Sequence, residues 1–164
     1  MSGEYVVLDG AVSLAIPTKF GQSLTVEPIT PSKLIWTSYD ASGQIWYENE
    51  FSIKDFHSEI SIETNEITKR LIQIIKTART LNPAFLSSTS GFKITTHLDF
   101  KKEWGLGTSS TLINNMAQWA NIDAYLLLEM TFGGSGYDIA CAQHNKPISY
   151  QLHNGKPLVK EVYF

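Results

Sequence analysis

Two segments hold residues whose types and spacing suit chemistry on an anion: Trp104-Gly105-Leu106-Gly107-Thr108-Ser109-Ser110-Thr111-Leu112 and Gly133-Gly134-Ser135-Gly136-Tyr137-Asp138-Ile139-Ala140. In the first, glycines and hydroxyl residues run directly into an apolar helical pattern. The free N–H groups and positive dipole end of that helix would face whatever sits in the loop, and a phosphate fits that description. In the second, small residues allow a close backbone approach while Asp138 projects from a first helical turn. Each has a plainer reading. Glycines before a helix commonly make only a tight turn, Thr108 or Ser109 can be simple N-caps, and Ser135 with Asp138 three residues on has the form of a capping box. The first segment has neither the lysine of a Walker loop nor the third glycine of a dinucleotide fingerprint.

The elements that must position these segments are legible from periodicity. Tyr5 to Ile29 is rich in Val, Leu and Ile, broken by Asp9-Gly10 and Pro17, and reads as strands with turns. Lys33–Tyr39 and Gln44–Phe51 flank Asp40-Ala41-Ser42-Gly43 and predict a hairpin carrying Trp36, Trp46 and Tyr47. Those three aromatics suit either cross-strand packing or a wall facing a nucleobase. Ile67, Leu71, Ile74, Ile75, Ala78 and Leu81 fall on one face of a helix between Thr64 and Asn82, stopped by Pro83. Phe92, Ile94, Thr96, Leu98 and Phe100 alternate as a half-buried strand leading into the first glycine segment.

After that segment, Leu112, Met116, Trp119 and Ala120 line one face of a second helix, with Asn114, Asn115 and Gln118 on its polar side. Asp123 caps a third helix bearing Leu126, Leu127 and Met130, and Ser135 a short fourth one through Ile139, Cys141 and Ala142. Ile148–Leu152 and Leu158–Tyr163 bracket His153-Asn154-Gly155 as a closing hairpin. Strands with interspersed helices, without regular alternation, predict an α+β fold.

Composition narrows the function classes. The chain has 164 residues, the length of one domain, with a net charge of -3 and a pI near 5.8. Nucleic acid and anionic lipid are therefore poor partners. No apolar run approaches the roughly 20 residues that span a bilayer, and the N-terminus lacks a signal-peptide pattern, so a soluble cytoplasmic protein with no membrane partner is expected. The single cysteine, Cys141, excludes an intramolecular disulfide or a multi-cysteine zinc site, and the four histidines show no ligand spacing. A metal, if used, would be a hard cation held by oxygens.

Together the motifs resemble the GHMP small-molecule kinases, which include galactokinase, homoserine kinase, mevalonate kinase and phosphomevalonate kinase. WGLGTSSTL resembles the family's phosphate loop. GGSGYDIACA is similar to the segment bearing its catalytic aspartate, especially in the bacterial subgroup named for Gly-Tyr-Asp-Ile-Ala. Gly3-Glu4-Tyr5-Val6-Val7-Leu8-Asp9-Gly10 is similar to the substrate-side segment of the mevalonate branch.

The resemblance implies a domain of the ribosomal protein S5 domain 2-like type that uses ATP and Mg2+. Gly105, Leu106, Gly107, Thr108, Ser109 and Ser110 would cradle the triphosphate, and Ser109 would ligate magnesium with Glu129 as a second ligand. Asp138 would take the acceptor's proton, and Glu4 and Tyr5 would face a small-molecule substrate, with mevalonate or phosphomevalonate favoured. The family's lysine before the Gly-Glu segment has no counterpart, and the chain, 1–164, corresponds to the family's N-terminal, ATP-binding portion, shortened at both ends. A homodimer partner or a C-terminal domain would complete such a site; a kinase-like binding module without catalysis is the alternative.

Overall fold

The computed structural model describes residues 6–57, 65–88 and 90–163. Among the described residues, seven strands and four α-helices form an α+β fold. β2 (Gln22–Ile29), β3 (Lys33–Tyr39), β4 (Ile45–Ser52) and β5 (Gly91–Leu98) make a four-stranded sheet in the order β2-β5-β3-β4. β5 lies between β2, to which it is antiparallel, and β3, to which it is parallel. β1 (Ser13–Ala15), β6 (Ile148–His153) and β7 (Lys156–Glu161) form a smaller antiparallel sheet in the order β1-β6-β7.

Alternation sets which face of the large sheet is covered. Leu34, Trp36 and Ser38 on β3 and Ile94, Thr96 and Leu98 on β5 are buried, while Lys93, Thr25 and His97 on the opposite face are exposed. The hairpin turn works as its composition predicts. The Asp40 carboxylate accepts from the backbone N–H groups of Ser42 and Gln44 and from the Ser42 hydroxyl. Those hydrogen bonds, led by the one from the Ser42 hydroxyl, hold its carboxyl below the usual carboxylate range. The closing hairpin turns at Asn154 and Gly155, with φ of 52° and 74°, the pair of left-handed residues that a two-residue turn between twisted strands requires.

The covered face packs against α1 (Glu66–Leu81), α2 (Thr108–Ala120) and α3 (Ala124–Thr131). Leu71, Ile74, Ile75 and Ala78 of α1, Ile113, Met116, Ala117 and Ala120 of α2, and Ala124, Leu127 and Leu128 of α3 share one core with Leu34, Trp36 and Ile94. A second cluster of Val7, Ala15, Tyr137, Ala140, Ile148 and Tyr150 lies under the small sheet. Its helix is α4 (Tyr137–Ala142).

Four local expectations are corrected. Residues 6–12 are not a strand: the Asp9 N–H donates to Val6 O and the Ala11 N–H to the same carbonyl, folding the segment into turns around Gly10. Gly136, not Ser135, is the N-cap of α4, and the Ser135 hydroxyl accepts from the Tyr137 N–H at 3.3 Å. On α3 the inward residues are Ala124, Leu127 and Leu128, whereas Leu126 and Met130 are exposed, because α3 meets both α1 and α2 and presents the line between them. Asn114 and Asn115 do not form a solvent face. Asn114 is 4% exposed and accepts from Gln143 Nε2 at 2.9 Å, and Asn115 Nδ2 donates to Gln22 O at 2.6 Å. Helix α2 is enclosed by α1, α3, α4 and β2, so its polar positions become bonds to neighbours.

The Asn65 carboxamide caps α1 by accepting from the N–H groups of Ile67 and Thr68 at 2.9 and 3.1 Å. Asn65→Ala should cost about 1 kcal/mol and lower the thermal midpoint by about 2–4 °C, read by circular dichroism melting. An unchanged midpoint would mean that the cap contributes nothing.

Candidate functional site

The loop from β5 to α2 is anchored at both ends. At its root the Gly21 N–H donates to an Asp99 carboxylate oxygen and the Asp99 N–H to Gly21 O. Further on, a 3-10 turn at Lys102–Trp104 sets the Trp104 ring against Phe20, with centroids 5.4 Å apart and planes at 79°. Gly105 and Gly107 then take left-handed conformations, φ 67° and 72°. Gly107 is the N-cap of α2, and no side chain caps that end. The amides of Thr108, Ser109 and Ser110 thus form an uncapped first turn, with Ser109 exposed and Thr108 half-buried.

The second glycine segment is folded against the first. A Cβ built on Gly107 would lie 3.0 Å from Cβ and Cγ of Asp138 and 3.1 Å from its Oδ2. The loop that begins α2 and the carboxylate in the first turn of α4 are therefore in direct contact, although 31 positions separate them. Gly136, at φ 73°, has a similar constraint: a Cβ there would come within 2.7 Å of the Tyr125 ring and 3.3 Å of Tyr150 Oη. The Tyr150 hydroxyl donates to Ser135 O, and the Tyr137 hydroxyl to Leu14 O at 2.9 Å. Burial pushes the Tyr125 phenol up to about 12 and raises that of Tyr150, so both remain protonated donors across the physiological range. The segment is pinned from β6, α3 and the end of β1, and Asp138 remains exposed at its tip.

Two cavities adjoin this junction. The first, about 230 Å³, is polar. Asp138, Gly105 and Leu106 stand on one side of it, with Thr18, Asn114, Asn115, His144 and Asn145 around the remainder. His144 Nδ1 lies 2.8 Å from Ala140 O, a contact that assigns the proton to Nδ1 in the neutral ring. The second cavity, about 280 Å³, is lined by Trp36, Trp46, Tyr47, Leu71, Ile74 and Leu112, with Thr108 and Ser109 at the same opening. Gln22 borders both. Trp46 Nε1 is buried without a hydrogen-bond partner among the described residues, and the Lys102 ammonium sits 3.1 Å over the centre of its ring. Partial burial lowers the Lys102 amine from its usual range.

The sequence-predicted residues are thus distributed unevenly. Gly105, Leu106 and Asp138 border the polar cavity, Thr108 and Ser109 the apolar one, and Gly107 stands at the contact between them. Glu129 is exposed on α3 and lines neither cavity. Glu4 and Tyr5 lie outside the described residues. Trp36, Trp46 and Tyr47 are joint walls of one cavity. Trp36 and Tyr47 are diagonal neighbours across the hairpin, since Trp36 faces Asn49 and Tyr47 faces Ser38 in the register, so cross-strand packing and the cavity wall are one arrangement. The contributions of Asn114, Asn145 and His144 were not visible in the sequence; they reach the polar cavity through the packing of α2 beside α4.

No protein-family model and no curated protein sequence matches the chain. Solved structures do match its fold. The mevalonate kinase of Methanococcus jannaschii superposes with a TM-score of 0.67 at 13% identity, over 99% of this chain and 52% of that one. A D-glycero-D-manno-heptose 1-phosphate kinase from Bacteroides thetaiotaomicron gives 0.66 at 17%, over 97% and 53%. The galactokinase of Lactococcus lactis, complexed with galactose, gives 0.61 at 12%, over 98% and 44%. The chain has the fold of the N-terminal domain of GHMP kinases and spans about half the length of these structures.

The two left-handed glycines separate conformational from contact constraints. A Cβ on Gly105 meets nothing within 4 Å, whereas one on Gly107 meets Asp138. Gly105→Ala should cost about 1 kcal/mol for the left-handed backbone alone. Gly107→Ala should cost about 1–3 kcal/mol more, measured by denaturant unfolding. Equal costs would show that the Asp138 contact imposes no constraint.

Proposed function

We propose that this domain serves ATP-dependent phosphoryl transfer to a hydroxyl or phosphate group of a small metabolite. The single observation that carries the reading is the Gly107–Asp138 contact, which joins an uncapped helix N-terminus to an exposed carboxylate at the rim of a polar cavity. Phosphoryl transfer asks a protein chiefly for positioning and charge stabilisation. In this scheme the apolar cavity takes the nucleobase between Trp36, Trp46, Tyr47 and Leu112. The polyphosphate runs across the amides of the segment from Gly105 to Ser110, and the acceptor occupies the polar cavity.

Asp138 accepts the proton of the attacking group, while Asn114, Asn145, Thr18 and His144 offer hydrogen-bonding groups that orient the acceptor. Mevalonate and phosphomevalonate are the acceptors that the sequence motifs favour. The Ser109 hydroxyl, exposed on the first turn beside the phosphate path, is a hard oxygen donor suited to magnesium. When bound with the nucleotide, that ion neutralises phosphate charge. Among the described residues no cluster of three or more acidic, histidine or cysteine side chains could hold a metal by itself.

Asp138→Asn keeps the shape of the side chain and removes its basicity. The prediction is a loss of turnover of about 10²–10⁴-fold with ATP affinity nearly unchanged, assayed by coupled ADP release and by isothermal titration. Full turnover in the Asn variant would refute the assignment of Asp138 as base.

A further inference from the structure

Arg70 has no part in the scheme so far and was not singled out by any sequence motif. It stands on the second turn of α1, exposed, at the border of the apolar cavity that Thr108 and Ser109 also line. Its guanidinium is held in place from two sides. Cζ lies 5.4 Å from the centre of the Phe132 ring, and Nη1 donates to Gln73 Oε1 at 3.1 Å. Gln73 is itself fixed, its Nε2 donating to Thr131 O at 3.2 Å. Among the described residues, no carboxylate lies within ion-pair distance of Arg70. The other charged residue bordering the cavity, Glu66, is taken by Lys69 at 2.7 Å.

This combination is unusual for a surface arginine that serves only solubility. A guanidinium carries five donors in a rigid fork, and one of them is used here. Its stacking on Phe132 and its bond to Gln73 lower the conformational entropy that an anion would otherwise cost on binding. It lines the same cavity as Thr108 and Ser109 of the uncapped first turn of α2. A cavity with apolar walls that is bordered by a preset cation and by free amides matches a ligand with one flat, apolar part and one anionic part.

We infer that Arg70 is a phosphate-binding residue, contacting the phosphates of the nucleotide whose base fills the apolar cavity from the side opposite α2. The inference rests on the nucleotide-binding reading above and deepens it: the anion is gripped between the α2 amides and a guanidinium of α1. The role is electrostatic and directional. Adenosine, which has the base and no phosphate, does not engage it.

The test compares ATP with adenosine on the full chain, in the wild type and in Arg70→Ala and Arg70→Lys variants, by isothermal titration for ATP and ligand-observed NMR for adenosine. Removing the guanidinium should weaken ATP about ten- to hundredfold while leaving adenosine affinity unchanged. The lysine variant should fall between, keeping the charge without the fork. The slope of ATP affinity against salt should become shallower in Arg70→Ala. Unchanged ATP affinity in Arg70→Ala would overturn the inference, and so would a parallel loss of adenosine affinity, which would mark Arg70 as part of the wall of the base slot. Failure of the wild-type chain to bind ATP would overturn both this inference and the proposed function, whereas wild-type binding with an unaffected Arg70→Ala variant would overturn this inference alone.

Discussion

The site depends on one steric constraint: the start of α2 and the first turn of α4 are packed so closely that a Cβ on the residue between them would stand 3.0 Å from Asp138, tighter than an ordinary contact. Gly107 supplies the left-handed turn that ends the loop and also the space that Asp138 fills. A Cβ at that position would push the carboxylate and the helix N-terminus apart. Much of the architecture serves to maintain this contact. The Gly21–Asp99 clip and the Phe20–Trp104 pair hold the loop before it, and the Tyr125, Tyr137 and Tyr150 side chains hold the segment that carries Asp138. Helix α2 lies at the centre, bonded through Asn114 and Asn115 toward α4 and β2.

In the proposed scheme, placing a helix N-terminus beside a carboxylate divides the site into two compartments. The amides favour negative charge, so the nucleotide phosphates belong on the α2 side, while the acceptor group that gives up a proton belongs beside Asp138. The surroundings agree with that division. Thr108, Ser109 and Arg70 line the apolar cavity, whereas the other is lined by Asn114, Asn115 and Asn145, the hydroxyls of Thr18 and Thr111, the His144 imidazole and the one carboxylate, beside apolar residues such as Ile16 and Phe20. A low-dielectric wall on the nucleobase side strengthens every electrostatic interaction at the phosphate end.

Much of the fold was legible because local chemistry and tertiary structure agree. The Asp40–Gly43 turn, the 3.6-residue apolar period of α1 with its Asn82-Pro83 stop, and the alternation of β5 each express one preference without competition. Legibility failed where a helix has more than one buried side. The polar residues of α2 were assigned to solvent because a surface helix would turn them outward, but an enclosed helix turns Asn114 into an internal bond. The inward face of α3 was displaced for the same reason, since two neighbouring helices share it. In the site, glycine and acid types identified the two segments separately. Nothing in the spacing could reveal that they touch, because the contact is made through the packing of α2 on α4. Arg70 was invisible for a related reason: its significance lies in its place at the border of a cavity, held by Phe132 and Gln73, which only the folded chain defines.

The account's central claim is that the segment from Gly105 to Ser110 and the apolar cavity bind one nucleotide, with its phosphates on the helix N-terminus. The most direct measurement is a ¹H–¹⁵N NMR titration of the chain with a non-hydrolysable ATP analogue and magnesium. The largest shifts are expected at the backbone amides of Gly105, Gly107, Thr108, Ser109 and Ser110, together with the indole N–H of Trp46. No shift at millimolar ligand, or shifts confined to surfaces away from these residues, would contradict it.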